Sequence, residues 1–112
     1  MKFKTKESKG VTVIELSGNV LGGPDANELN NKLHELVSAE KKKIVVDLDG
    51  VKFINSSGLS MLIGGLNVMR KSGGELKLAR ASKKIESILQ MTKLTNVFDI
   101  HKQVAGAVKA FK

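Results

Sequence analysis

The sequence predicts a small α/β domain in which a mixed, largely parallel β-sheet is covered by about four helices. Three observations lead there. Apolar runs of strand length alternate along the chain with segments whose apolar residues recur at helical spacing. Residues 44–48, Ile-Val-Val-Asp-Leu, form a nearly continuous apolar run between turn-forming residues, the pattern of a strand covered on both faces. The chain has 112 residues, the size of a single domain, and carries no internal repeat, low-complexity tract or linker.

Taken in order, residues 3–7 and 11–17 are β-prone and separated by Ser8-Lys9-Gly10, which predicts a hairpin. Residues 11–16 are apolar on both faces, so the second strand is an inner one. Gly22-Gly23-Pro24-Asp25 opens a helix, with proline at its first position and an acid in its first turn. Ala26, Leu29, Leu33, Leu36 and Val37 mark its inner face, and a polar, basic loop covers residues 40–43. After the strand at 44–48, Asp49-Gly50 is expected to turn, and residues 51–54 lead into Asn55-Ser56-Ser57-Gly58. A second helix runs to about Lys71 and is closed by Ser72-Gly73-Gly74. Residues 75–79 alternate as a half-exposed strand, and Ser82 caps a third helix carrying Ile85, Ile88 and Leu89. Residues 96–100 predict a last short strand; Val104, Ala107, Val108 and Phe111 mark a C-terminal helix. Strands separated by helices need crossovers and hence parallel pairing, while the first hairpin makes the sheet mixed.

Composition narrows the function. Hydrophobic residues at 41% and charged residues at 27% are an ordinary globular balance. Without cysteine there are no disulfides, thiolate nucleophiles or cysteine-based zinc sites. The first ten residues hold no apolar run of a secretory signal. The longest apolar stretch, residues 59–69, is interrupted by Ser60, Gly64, Gly65 and Asn67 and is too short to cross a bilayer. A cytoplasmic protein with no membrane insertion is expected. Nineteen Lys+Arg against eleven Asp+Glu give a net charge of +8, which favours anionic partners. Only Arg70 and Arg80 are arginines, Trp and Tyr are absent, and the lysines are scattered, so a solvated lysine surface is expected rather than direct nucleic-acid binding.

Few residues suggest catalysis. Asp47-Leu48-Asp49-Gly50 after an apolar strand resembles the first motif of haloacid-dehalogenase phosphatases, in which one Asp is the nucleophile and the other the acid/base. The only acids further along are Glu75, Glu86 and Asp99, none of them adjacent, so the metal site of that chemistry is not completed. Strand end and turn are the favoured roles for Asp47 and Asp49-Gly50. His34 and His101 stand alone in sequence, and the glycines at 58–65 are not followed by the lysine of a phosphate-binding loop. No catalytic residue, cofactor or metal is expected, and the protein is read as a non-enzyme.

The informative block is Asn55-Ser56-Ser57-Gly58-Leu59. Two hydroxyls stand at a strand-to-helix junction, where first-turn N–H groups lack partners. One serine can serve as a cap; equally, a phosphoryl group placed there meets free N–H donors and the positive end of the helix dipole. Along the second helix, Leu59, Leu62, Ile63, Leu66 and Met69 share a core face, while Met61, Gly65 and Val68 recur on the opposite one. That second stripe is either covered by another helix or a docking face.

Residues 13–18, 44–48, the block Val51-Lys52-Phe53-Ile54-Asn55-Ser56-Ser57-Gly58-Leu59, Gly73-Gly74-Glu75-Leu76 and residues 94–100 resemble the STAS domains, specifically stand-alone bacterial anti-sigma factor antagonists. The resemblance implies a partner-switching cycle. The unmodified antagonist binds an anti-sigma factor that is also a serine protein kinase, thereby freeing a sigma factor and regulating transcription. The kinase phosphorylates a serine at the start of the second helix, and a PP2C-like, metal-dependent serine phosphatase removes the mark. Carried over by position, the acceptor is Ser56; Ser57, the neighbouring hydroxyl, is the alternative acceptor and the expected helix cap. Partner contacts fall on Asn55, Ser56, Ser57, Gly58, Met61, Gly65, Val68, Asn19 and Leu21. The family commonly has Asp where this chain has Asn55, and acids where it has Asn19 and Leu21. The alternative is an unphosphorylated STAS accessory module of a lipid-transport or other membrane assembly.

Overall fold

The computed structural model describes residues 1–111. The chain runs β1 (Lys2–Ser8), β2 (Val11–Val20), α1 (Pro24–Ser38), β3 (Lys43–Ile54), α2 (Ser56–Lys71), β4 (Glu75–Ala79), α3 (Lys83–Met91), a 3₁₀ turn (Leu94–Asn96), β5 (Ile100–His101) and α4 (Val104–Ala110). The five strands lie in chain order, β1-β2-β3-β4-β5. β1 is antiparallel to β2, and every later neighbour is parallel. This is the mixed, largely parallel sheet with four helices that the periodicity predicts.

Right-handed crossovers between strands laid down in one direction put α1, α2 and α3 on the same face. The core agrees. Ile14 and Leu16 of β2 and Ile44, Val46 and Leu48 of β3 pack with Leu29, Leu33 and Leu36 of α1, Leu62, Leu66 and Met69 of α2, and Ile85 and Leu89 of α3. The alternate residues Val11, Val13, Val45 and Ala79 face the other way and are covered by Ala107 and Val108 of α4. Strand periodicity thus divides the apolar residues between two layers. α1 begins at Pro24, as its proline dictates, with Asp25 in the first turn.

Two predicted boundaries change. Asp49-Gly50 is not a turn, because β3 continues through it to Ile54. Opposite β2, the steps Glu15 to Ser17 and Gly18 to Asn19 match Asp47 to Gly50 and Val51 to Phe53, so β3 carries one extra residue at each shift. At the first bulge Asp47 Oδ1 accepts the Asp49 N–H at 3.0 Å. Gly50 lies so close to β2 that a Cβ there would stand 2.9 Å from the Leu16 carbonyl oxygen. The predicted last strand at 96–100 also shrinks: Lys93 adopts a left-handed φ of 60° and starts the 3₁₀ turn, leaving only Ile100 and His101 in the sheet.

Candidate functional site

The C-terminal ends of β2, β3 and β4 form one edge of the parallel sheet, where ligands and partners of open α/β folds meet the chain. At the end of β3, Asn55 takes an extended conformation (φ −107°, ψ −176°) and its Oδ1 accepts the Gly58 N–H at 2.8 Å. Asn55 is therefore the N-cap of α2, correcting the expectation that Ser57 would be. A cap must precede the first helical residue, and the Leu59 N–H, bonded to the Asn55 carbonyl at 2.9 Å, makes Asn55 that flanking position.

Ser56 and Ser57 follow as the first two helical residues, both exposed. Their N–H groups precede the first intrahelical bond, and no hydrogen bond engages either hydroxyl among the described residues. The start of α2 is fixed by close backbone approach. A Cβ on Gly58 would collide with the Val20 carbonyl oxygen and lie 2.9 Å from Ile54 Cγ1. Gly22, at φ +82°, rests against Ser57, where a Cβ would come within 2.7 Å of the Ser57 Cβ. The end of β2 and the loop after it are thereby pressed onto the first turn of α2.

Around the serines stand Asn19, exposed and in register with Phe53, and two exposed apolar side chains, Leu21 at 45% and Phe53 at 40%. The second bulge of β3 accounts for Phe53, since it leaves Lys52 and Phe53 as consecutive exposed residues where a regular strand would turn one inward. Lys84 of α3 places its ammonium 5.3 Å from the centre of the Phe53 ring. Phe53 as an outward apolar residue, and its meeting with Lys84, were missed in the sequence. An apolar residue at a strand end reads as core, and the lysine is thirty-one positions away.

The stripe of Met61, Gly65 and Val68 lies elsewhere than on an open face. Met61 is only 7% exposed, Gly65 is buried, and a Cβ on Gly65 would lie 3.0 Å from Leu33 Cδ1 of α1. Val68 is half-buried and packs at the margin of the core. Of the two roles open to that stripe, cover by another helix holds for Met61 and Gly65, because α1 lies against that side of α2, and their expected role as partner contacts is corrected accordingly. Their remaining exposure is to a shallow cleft of about 320 Å³ between the two helices, bordered also by Asn27, Ser57, Ser60 and Gly64.

The two aspartates that resemble a phosphatase motif are tied down. Arg80, at a left-handed φ of 59°, meets Asp49 at 2.6 Å and Asp47 at 3.5 Å. The hydrogen bond to Asp49, then the charge of Asp47, raises the guanidinium pKa and keeps it protonated. His101 is not alone either, since its Nε2 lies 2.9 Å from Asp99 Oδ2, which Lys77 also contacts at 2.6 Å. Those two partners, Lys77 first, hold the Asp99 carboxyl below its usual range. His34 is exposed on α1. Among the described residues no three His, Asp or Glu side chains gather as metal ligands, and no helix is long and apolar enough to cross a membrane.

Chemically, the arrangement offers a free hydroxyl at a helix start, two unbonded N–H groups beside it and a small apolar rim. A family model described as the STAS domain matches residues 2–107. The anti-sigma F factor antagonist of Paenibacillus polymyxa is 22% identical over 109 residues, which is 96% of this chain and 92% of that protein. The crystal structure of an anti-sigma factor antagonist from Mycobacterium paratuberculosis, 22% identical, aligns with a TM-score of 0.81 over 97% of this chain and 92% of that one. The Bacillus cell fate determinant SpoIIAA in its phosphorylated form, 16% identical, gives a TM-score of 0.74 over 99% of this chain and all of that one. The structural likenesses show a common fold, and the family match over nearly the whole length shows that the chain belongs to the STAS domain family.

Proposed function

We propose that this protein is an anti-sigma factor antagonist that works by partner switching, a binding module and not a catalyst. In its unmodified state it holds an anti-sigma factor that is also a serine kinase; phosphorylation of Ser56 ends the complex, and a PP2C-like phosphatase restores it. The observation that carries this reading is the Ser56 hydroxyl, exposed and unbonded at the first residue of α2. Its relatives' names point the same way, with an anti-sigma F factor antagonist aligned along almost the full chain.

The physics of the switch is local. A phosphoryl group adds about −1.5 to −2 charges at neutral pH. The N–H groups of Ser56 and Ser57 and the helix dipole favour that charge, and neutral Asn55 does not repel it. Because the Ser56 hydroxyl supports no other part of the fold, modification alters the docking surface and leaves the core intact. Leu21, Asn19, Phe53, Asn55, Ser57 and Gly58 surround that point and form the proposed contact area.

The test is purification of the tagged protein from its own host with phosphatases inhibited, followed by phosphosite mapping. Phosphate on Ser56 together with a co-purifying anti-sigma factor supports the reading. A Ser56 free of phosphate in every growth condition, with a transporter assembly as partner, would replace it by the unswitched accessory module.

A further inference from the structure

We propose that the surface beside Ser56 is built for a partner whose docking patch is acidic around an apolar centre. This rests on the reading above only in taking that surface as the docking face. Its centre is Leu21 and Phe53, two large apolar side chains exposed at 45% and 40% at adjoining strand ends. Isolated exposed apolar residues are common, but here the second β3 bulge turns Phe53 out on the strand paired with the end of β2, which Leu21 directly follows.

The backbone segments that carry them are free of acids. Residues 17–24 and 50–60, which contain the ends of β2 and β3 and the start of α2, hold no Asp or Glu, and their only charged residue is Lys52. Lys84 reaches in from α3, its ammonium 5.3 Å from the Phe53 ring centre. Of the acids on the adjoining elements, Asp49 pairs with Arg80 at 2.6 Å and Asp25 with the Met1 amino group at 3.4 Å, while Glu28 is exposed on α1. Glu86 of α3 lines a separate cleft with Lys83, Asp99 and His101. The rim is therefore positive on a protein whose net charge is +8, and both fields attract an acidic patch.

The same arrangement states how a phosphate on Ser56 would act. Two lysines, Lys52 and Lys84, border the apolar pair, and a charge of about −1.5 to −2 offsets them. An acidic partner then loses its attraction and meets a like charge.

The probes are two synthetic amphipathic peptides, one of glutamate and leucine and one of lysine and leucine, titrated into the full chain and followed by amide chemical shifts. The glutamate peptide is expected to move the amides of Leu21, Phe53 and Lys84, and the lysine peptide to leave them unmoved. The Lys52→Glu/Lys84→Glu variant should bind the glutamate peptide at least about tenfold more weakly, and Lys109→Glu, the same charge reversal on α4, should not. Equal binding of both peptides, shifts centred elsewhere, or a charge-reversed variant that binds as well as the parent overturns the proposal. The two readings fail separately: phosphate-free Ser56 with normal glutamate-peptide binding removes the switch alone, and phosphorylated Ser56 with no such binding removes the acidic partner patch alone.

Discussion

The side-chain oxygen of Asn55 accepts the backbone N–H of Gly58 at 2.8 Å, and this bond fixes where α2 begins. Everything proposed for Ser56 follows from that start, because the residue after the cap is the one whose N–H is free and whose side chain is outside. Asn55→Ala should lower stability by about 1 kcal/mol, the usual cost of losing a cap. Asn55→Asp should leave it nearly unchanged, since aspartate caps as well. Urea denaturation of the three proteins measures both; equal midpoints for Asn55→Ala and the parent would mean that the bond does not hold the helix start.

Two glycines of α2 should respond in opposite senses. Gly58 sits where a Cβ would strike the Val20 carbonyl, so Gly58→Ala should destabilise by about 1–3 kcal/mol as an overpacked contact. Nothing lies within 4 Å of a Cβ built on Gly64, so Gly64→Ala should stabilise by roughly 0.5–1 kcal/mol through helix propensity. Thermal melts of the pair check the sign of each, and a stabilised Gly58→Ala would show that β2 does not press on α2.

Arg80 combines a left-handed backbone with ion pairs to Asp47 and Asp49. Arg80→Ala loses the pairs and keeps the strained conformation, whereas Arg80→Gly loses the pairs and relieves it. Arg80→Gly should therefore be the more stable of the two, although both fall below the parent because Asp47 is 3% exposed and loses a partner. Denaturant midpoints order the three proteins.

The acid limb of stability should depend on Asp99. Lys77 and then His101 depress its pKa in the fold, so its contribution is present above the ordinary carboxylate pKa and is lost as the pH falls through the lower folded value. Its side chain is 49% exposed, so the effect is small. Asp99→Asn should flatten the stability profile in that acidic window. An identical acid limb in parent and variant would contradict the pairing.

Much of this was legible in the sequence because it depends on period. The two-residue alternation of Val11, Val13 and Val45 against Ile14, Ile44 and Val46 fixes two covered faces, and the helical spacing of Leu29, Leu33 and Leu36 fixes what covers one of them. The serine pair at a strand-to-helix junction was visible for the same reason. What escaped depends on neighbours distant in the chain. Asp49-Gly50 has turn chemistry, but β2 lies alongside and the chain stays in the sheet as a bulge. Met61 and Gly65 lie opposite the inner face of α2, yet Leu33 of α1 reaches that side too. Phe53 looks like core until the second bulge of β3, two residues after the inward Val51, leaves it facing out.

The most direct measurement is the affinity of the co-purified anti-sigma factor for Ser56→Ala and Ser56→Asp, with both variants shown to melt like the parent. Tight binding by Ser56→Ala and a loss of more than about 1 kcal/mol in Ser56→Asp is the predicted result, the scale of a charge placed in a desolvated contact. Equal affinity of the two variants would contradict the account.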